Sequence, residues 1–247
     1  MTSQPPTAVT ALFSAEQSCR QCATYALCLP AENGCTSLAG RRRVVKKGAH
    51  LYRTGDPFRA IYAIESGCIK TSMLTCGGDV QVLRFSLPGE LVGINAIGNA
   101  LHPCDAVALE TTQLCELPFA HLEKLAQEHP AVQHRLLGLL SEEIVMDEKL
   151  MAMLGHQKAE TRMANCLLNF NQRYRQQGHT DHSFHLPMSR QDLGDYLGLS
   201  LETVSRLFSR FQAEGLLSVQ GRKVRLLDLA GLESISEHCQ EPAAARA

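Results

Sequence analysis

Cys19, Cys22 and Cys28 stand within ten residues of one another, in the string CRQCATYALC. Thiolates at that spacing on one loop can converge on a single metal centre. Tetrahedral zinc takes four thiolates, and so does a [4Fe–4S] cluster, commonly three close together and one distant. Short Cys-x2-Cys motifs are more often zinc. Spacing does not choose a fourth ligand among Cys35, Cys104 and Cys115. The chain has 10 cysteines in all. In a reducing compartment disulfides are rare, so clustered thiols point to metal or redox chemistry. Cys68, Cys76, Cys104, Cys166 and Cys239 are scattered singly along patterned segments. Most of those read as buried spectators, because a free thiol packs as a small hydrophobe.

A second set of reactive side chains lies near the C-terminus. In LETVSRLFSRFQAE, Glu202, Ser205, Arg206, Ser209 and Arg210 recur at helical spacing on one side, and Leu201, Val204, Leu207, Phe208 and Phe211 share the other. An apolar face that packs and a face of short polar groups and arginines suit a helix laid in a DNA major groove. Arg206 is able to bond guanine bidentately, and Glu202 to accept from a cytosine amino group. A merely solvated amphipathic face is the bland alternative. The surroundings argue against it. Ser189 with Asp192 three positions on resembles a capping box, Gly198 supplies a turn, Ser200 is an N-cap, and Gly215 suits a left-handed C′ position. The following LLSVQGRKVRLLD reads as a hairpin whose tip, Gly221-Arg222-Lys223, forms a basic wing against phosphate.

Between these sites runs an apolar seam, Leu137, Leu140, Ile144, Asp147, Met151 and Leu154, with spacings of 3, 4, 3, 4 and 3. That is the heptad pattern of a two-stranded coiled coil. A parallel homodimer brings the two Asp147 carboxylates together. At about 6 Å and an effective dielectric of about 20 they repel by roughly 3 kcal/mol. Such a seam is poised near balance unless Asp147 bends to water or pairs with Lys149 or Arg135.

The elements that must position these groups fall into four segments. Residues 1–40 are irregular and cysteine-rich, broken by Pro30, Asn33 and Gly34. Residues 41–120 alternate short apolar strands with Gly- and Pro-marked turns, which predicts a small antiparallel roll. Residues 121–157 read as the dimerisation helix, in a helical stretch from about 120 to 175 broken only near Gly155. Residues 158–247 hold the helix-turn-helix with its wing and a frayed tail. The expected fold class is α+β: an antiparallel β-roll of jelly-roll type, a long dimerisation helix and a C-terminal winged helix-turn-helix.

The string MSRQDLGDYLGLSLETVSRLFSRFQAEGLL resembles the DNA-binding domain of the CRP/FNR superfamily, in particular the FNR branch of anaerobic regulators. GDPFRAIYAIESGCIKT and PGELVG resemble that family's cyclic-nucleotide-binding-like roll, so the likeness runs from Cys19 to the wing. It implies TTGAT-like half-sites in an inverted repeat, read by Glu202, Ser205 and Arg206. It implies a [4Fe–4S] cluster on Cys19, Cys22 and Cys28, with Cys115 as the fourth ligand, because Cys115-Glu116-Leu117-Pro118-Phe119 resembles the branch's CE-[IL]-PF string. Oxygen then degrades the cluster and loosens the homodimer. Leu27, beside Cys28, either shields an edge of the cluster or packs as ordinary loop. Contacts to RNA polymerase are implied around Thr71–Ser72 and Cys76–Gly78. The alternative is a winged-helix regulator with structural zinc or another effector.

In the nucleotide-binding branch a basic residue after the Pro-Gly-Glu turn neutralises the cyclic phosphate, since a buried anion without a partner is costly. Here no Lys or Arg occurs between Arg84 and Lys124, so no cyclic nucleotide is expected. The formal net charge of −1 restricts any nucleic-acid contact to a local patch. An apolar share of 45% with 20% charged residues argues against disorder over most of the length. No apolar run approaches the roughly 20 residues that span a bilayer, and the first residues do not read as a signal peptide, which places the chain in the cytoplasm. No nucleophile–base spacing or phosphate loop suggests an enzyme.

Overall fold

The computed structural model describes residues 41–237. The cysteine-rich segment with Cys19, Cys22, Leu27, Cys28 and Cys35 lies outside the described residues, as does Cys239.

Eight strands form the roll: β1 (Arg41–Val45), β2 (His50–Tyr52), β3 (Ala60–Ser66), β4 (Ile69–Leu74), β5 (Val80–Ser86), β6 (Leu91–Val92), β7 (Asp105–Ala108) and β8 (Thr112–Pro118). They make two antiparallel four-stranded sheets, ordered β1-β8-β3-β6 and β2-β7-β4-β5. Successive strand side chains point to opposite faces. On β3, Tyr62 and Ile64 therefore enter the roll's interior with Leu51, Ile69 and Leu114, whereas Ile61 and Ala63 face outward into a second apolar cluster. That cluster is closed by Leu122 of α1 (Phe119–Glu128) and Val132 of α2 (Pro130–His156).

The helical stretch breaks near Gly155, as the sequence predicts, and at one further place before it. Pro130 forces His129 into an extended conformation, because the proline ring excludes the helical region for its predecessor, and this separates α1 from α2. Gly155 stays inside α2, and the second break falls at the extended Gln157. The 27 residues of α2 make a rod about 40 Å long.

The C-terminal unit comprises α3 (Ala159–Gln176), β9 (Ser183–His185), α4 (Arg190–Leu197), α5 (Leu201–Ala213), β10 (Leu217–Gln220), β11 (Lys223–Leu226) and α6 (Leu229–Glu237). The predicted hairpin is β10–β11. β9 adds a third strand on β11, which three residues by themselves did not announce. Roll and C-terminal unit share one core, in which Cys68, Val82, Phe85 and Leu87 pack with Met163, Phe170, Leu193 and Phe211. Phe85 meets the Tyr196 ring at a centroid distance of 5.2 Å. Polar ties flank that core. Arg173 Nη2 lies 2.7 Å from Glu90 Oε2 and donates to the Phe85 carbonyl at 2.5 Å, and Gln81 Nε2 donates to the Asp195 carbonyl at 2.6 Å.

Candidate nucleic-acid interface and thiolate ligands

The helix-turn-helix is built from its caps. Ser189 caps α4: its Oγ accepts from the Asp192 amide at 3.0 Å, and Asp192 Oδ2 accepts from the Ser189 amide at 2.9 Å. Gly198 ends the helix at φ 62°, a left-handed conformation that disfavours any Cβ. Gly194 allows the turn to fold back, since a Cβ there would meet the Leu199 carbonyl oxygen at 2.5 Å. Ser200 Oγ accepts from the Thr203 amide at 3.2 Å and starts α5. Val204, Leu207, Phe208 and Phe211 are buried as expected. Leu201 departs from that expectation at 41% exposed, since it lies in the first turn beyond the edge of α4.

Glu202, Ser205, Arg206, Ser209 and Arg210 are all exposed on one side of α5. Glu202 is held below the usual carboxylate range by its own backbone amide, by Ser200 and by the nearby Arg206, so at neutral pH it only accepts hydrogen bonds. Arg206 Nη2 donates to Thr203 Oγ1 at 3.2 Å, and Ser200 Oγ donates to the same oxygen at 3.1 Å. Thr203 thus orients Arg206, a role the regular 200–203–206 spacing allows. Ser209 Oγ turns back to the Ser205 carbonyl at 3.1 Å. Arg210 differs from its neighbours: its Nε is 2.7 Å from Glu214 Oε1, and its Nη1 bonds Glu160 on α3. Its guanidinium braces α5 against α3.

Four further cations belong to α4 and the wing. Arg190 lies over the Phe208 ring with 3.2 Å between guanidinium carbon and centroid, and burial lowers it to about 10, still charged at neutral pH. In the wing, Arg222 Nη1 donates to the Pro187 carbonyl at 2.6 Å, whereas Lys223 and Arg225 are exposed.

Of the four predicted thiolate ligands, Cys115 is the one among the described residues. It sits half-buried on β8, opposite Arg42 of β1 and Ala63 of β3. It faces outward and packs at the edge of the cluster formed by Ile61, Leu122 and Val132, alongside Leu136, Leu139 and Leu140 of α2. Cys104, the competing fourth ligand, is inside the roll at 1% exposed, with Asn95 Nδ2 donating to its sulfur at 3.6 Å. Burial raises the Cys68 and Cys104 thiols and pushes Cys166 up to about 12, so these three stay protonated and inert. Cys76 breaks the spectator pattern, being exposed at the tip of the β4–β5 hairpin. The donor chemistry of Cys115 fits a thiolate-ligated cluster. Arg41 is the residue at which the cysteine-rich segment enters β1, beside Cys115, and the 14 positions from Cys28 to Arg42 reach up to about 50 Å.

The predicted seam is largely uncovered. Leu137, Ile144 and Met151 are 58%, 59% and 65% exposed, and Leu140 and Leu154 are half-buried. Asp147 pairs with neither Lys149 nor Arg135. Arg84 of β5 takes it at 3.2 Å, and Arg135 pairs with Glu142 instead. Arg84 borders a cavity of about 280 Å³ between roll and α2, which Tyr52 and Asn95 also line. Thr71 and Ser72 are buried in β4 between two strands, whereas Cys76–Gly78 is exposed. Among the described residues no helix is long and apolar enough to cross a membrane.

A roll of this topology, a long helix and a capped winged helix-turn-helix are the parts of a DNA-binding transcription regulator. Residues 42–129 match the family described as cyclic nucleotide-binding domain, and residues 161–235 the Crp-like helix-turn-helix domain. The chain is 41% identical to the transcriptional activator protein Anr of Pseudomonas aeruginosa, over 85% of this chain and 88% of that one. It is 36% identical to the fumarate and nitrate reduction regulatory protein of Escherichia coli, over 91% and 92% of the two chains. Among solved structures it is similar to FixK2 from Bradyrhizobium japonicum, with a TM-score of 0.74 and 30% identity, over 79% of this chain and 96% of that one. The chain belongs to the FNR-type regulators of the CRP/FNR superfamily. These are transcription regulators and not enzymes.

Proposed function

We propose that this is an oxygen-responsive transcription regulator of the cytoplasm, in which Cys19, Cys22, Cys28 and Cys115 hold a [4Fe–4S] cluster that favours a DNA-binding homodimer. The observation that carries the reading is the position of Cys115. It stands between β1, which follows directly on the cysteine-rich segment, and the apolar cluster that seats Leu136, Leu139 and Leu140 of α2. When bound, the cluster supplies an oxygen-labile bond between the N-terminal thiolates and β8. Pulling on Cys115 shifts the packing beneath the first turns of α2, the helix whose Leu137, Ile144 and Met151 await a second copy. In air the four thiolates lose their common anchor, the seam opens, and the two copies of α5 leave their half-sites.

The same reading gives the DNA target as an inverted repeat of TTGAT-like half-sites. Arg206, Glu202 and Ser205 meet bases while Ser209, Arg190 and the wing cations Lys223 and Arg225 meet phosphate. Two half-sites one helical turn apart require two recognition helices about 34 Å apart, hence a dimer. Arg210, tied to Glu160 and Glu214, contributes mainly by holding α5 in place. The exposed tip at Cys76–Gly78 is the part of the roll offered to RNA polymerase. A cyclic nucleotide is not the effector: Arg84, the cation beside the cavity, is already committed to Glu143 and Asp147, and no Lys or Arg occurs between it and Lys124.

Anaerobic purification tests the cluster. A brown protein with about four irons and four acid-labile sulfides per chain, bleached by air and lost on Cys115→Ser, is the expected outcome. A colourless protein carrying zinc, or full iron content in Cys115→Ser, overturns it.

A further inference from the structure

Asp147 interrupts an otherwise apolar seam, and the roll answers it. Arg84 on β5 points at α2 and forks between two carboxylates one turn apart: Nη1 lies 2.6 Å from Glu143 Oε1, and Nη2 lies 3.2 Å from Asp147 Oδ1. The guanidinium side chain is 18% exposed and that of Glu143 27%, whereas Asp147 is 66% exposed, its outer side left toward the seam. The next acid along the roll, Glu90, is separately matched by Arg173 at 2.7 Å, so Arg84 serves the α2 pair alone.

We infer that Arg84 is the counter-charge of the dimer seam: by holding Glu143 and Asp147 of its own α2, it removes most of the repulsion that a second copy of this chain would meet there. The inference rests on the homodimer of the proposed function. The arithmetic is one of charge. With Arg84, the Asp147 that each copy brings to the seam is matched by a guanidinium shared with the more covered Glu143; without it, two unmatched Asp147 carboxylates face one another in the dimer, each with Glu143 one turn away. Arg84 belongs to a strand of the roll, 59 positions from Glu143, so any movement of β5 relative to α2 changes the charge of the seam. The planar fork matters too, because an ammonium group cannot span two carboxylates with the same geometry.

The test is the dissociation constant of the dimer, measured by sedimentation equilibrium on anaerobically purified chain, parent and variants matched for metal content, at low and high salt. Arg84→Gln is expected to weaken the dimer about tenfold or more at low salt, and high salt is expected to restore much of the loss, because screening relieves repulsion between unmatched acids. Asp147→Asn in the Arg84→Gln background is expected to recover affinity, whereas in the parent it changes little. Arg84→Lys keeps the charge and loses less. If Arg84→Gln loses its helical circular dichroism, the triple variant Arg84→Met, Glu143→Gln, Asp147→Asn replaces it, and it should dimerise at least as tightly as the parent. Unchanged affinity and salt slope in Arg84→Gln, or a triple variant weaker than the parent, overturns the inference. A parent that stays monomeric at every concentration overturns the seam itself. Metal content is measured on the same samples, so failure of the cluster reading, a colourless parent, is told apart from failure of this inference, an unchanged dimer affinity in Arg84→Gln.

Discussion

Lys70 Nζ stands 2.6 Å from Asp192 Oδ1, and both side chains are more than four-fifths buried. The lysine belongs to β4 of the roll, the aspartate to the capping box of α4. One carboxylate thus does two jobs. Oδ2 takes the Ser189 amide and hydroxyl and starts the first helix of the DNA-binding motif, while Oδ1 binds that helix to the sensor roll.

Removing the lysine leaves a largely buried carboxylate short of its strongest partner. Lys70→Met is expected to destabilise the chain by about 1.5–3 kcal/mol, the range for a charge-assisted hydrogen bond. For a chain of this size each kcal/mol lowers the thermal midpoint by about 2–4 °C. A melt followed by circular dichroism measures it, and an unchanged midpoint would show that the pair contributes nothing.

Acid should undo the same contact. Burial pushes the Asp192 carboxyl up, but the bonds from Lys70 and Ser189 more than offset this and leave it below the usual range. Asp105 is lowered as well, first by the Thr54 amide, which donates at 2.7 Å. A group with a depressed folded pKa contributes stability above its unfolded value, near about 3.9 for Asp, and loses it as pH falls through the folded value. The stability gap between the parent and Lys70→Met should therefore be full near neutrality and shrink below about pH 4. Urea titrations across that window read it directly; a gap independent of pH contradicts the assignment.

Arg206→Ala leaves the core untouched, since the side chain is exposed and its bond to Thr203 lies on the surface. The fold should melt as the parent does. Binding to an inverted-repeat duplex should weaken by about 1–3 kcal/mol per half-site, with discrimination lost at the contacted base pair. Fluorescence anisotropy with matched and mismatched duplexes separates that outcome from a uniform, phosphate-type loss.

Gly194→Ala places a methyl group against the Leu199 carbonyl. The turn must open, at a cost of about 1–3 kcal/mol for overpacking, and α5 loses its angle to α4. DNA affinity should fall although no DNA-facing group has changed. Parent-like affinity would mean that the turn absorbs the methyl group without reorienting α5.

Much of this protein was legible in its residues because the relevant interactions are short in sequence. The caps at Ser189 and Ser200 reach three positions, the polar face of α5 repeats within one helix, and the roll's strands announce themselves by alternation and turns. The heptad seam was legible for the same reason. Boundaries were less so: the break at His129 and the added strand β9 depend on a neighbouring proline and on a distant partner strand.

The sequence by itself determined the helix-turn-helix, its wing, the exposed seam and the thiol-rich start, since periodicity, capping and ligand type are properties of neighbouring residues. Only the tertiary structure decided which charges meet. Lys70 finds Asp192 across 122 positions, Arg84 finds Glu143 and Asp147 across 59 and 63, and Arg210 turns to Glu160 across 50. It also decided that Cys104 is sealed inside the roll while Cys115 faces the long helix. Strand register sets which side of a sheet a residue takes, and helix docking sets which acid a cation reaches. Neither is written in local spacing.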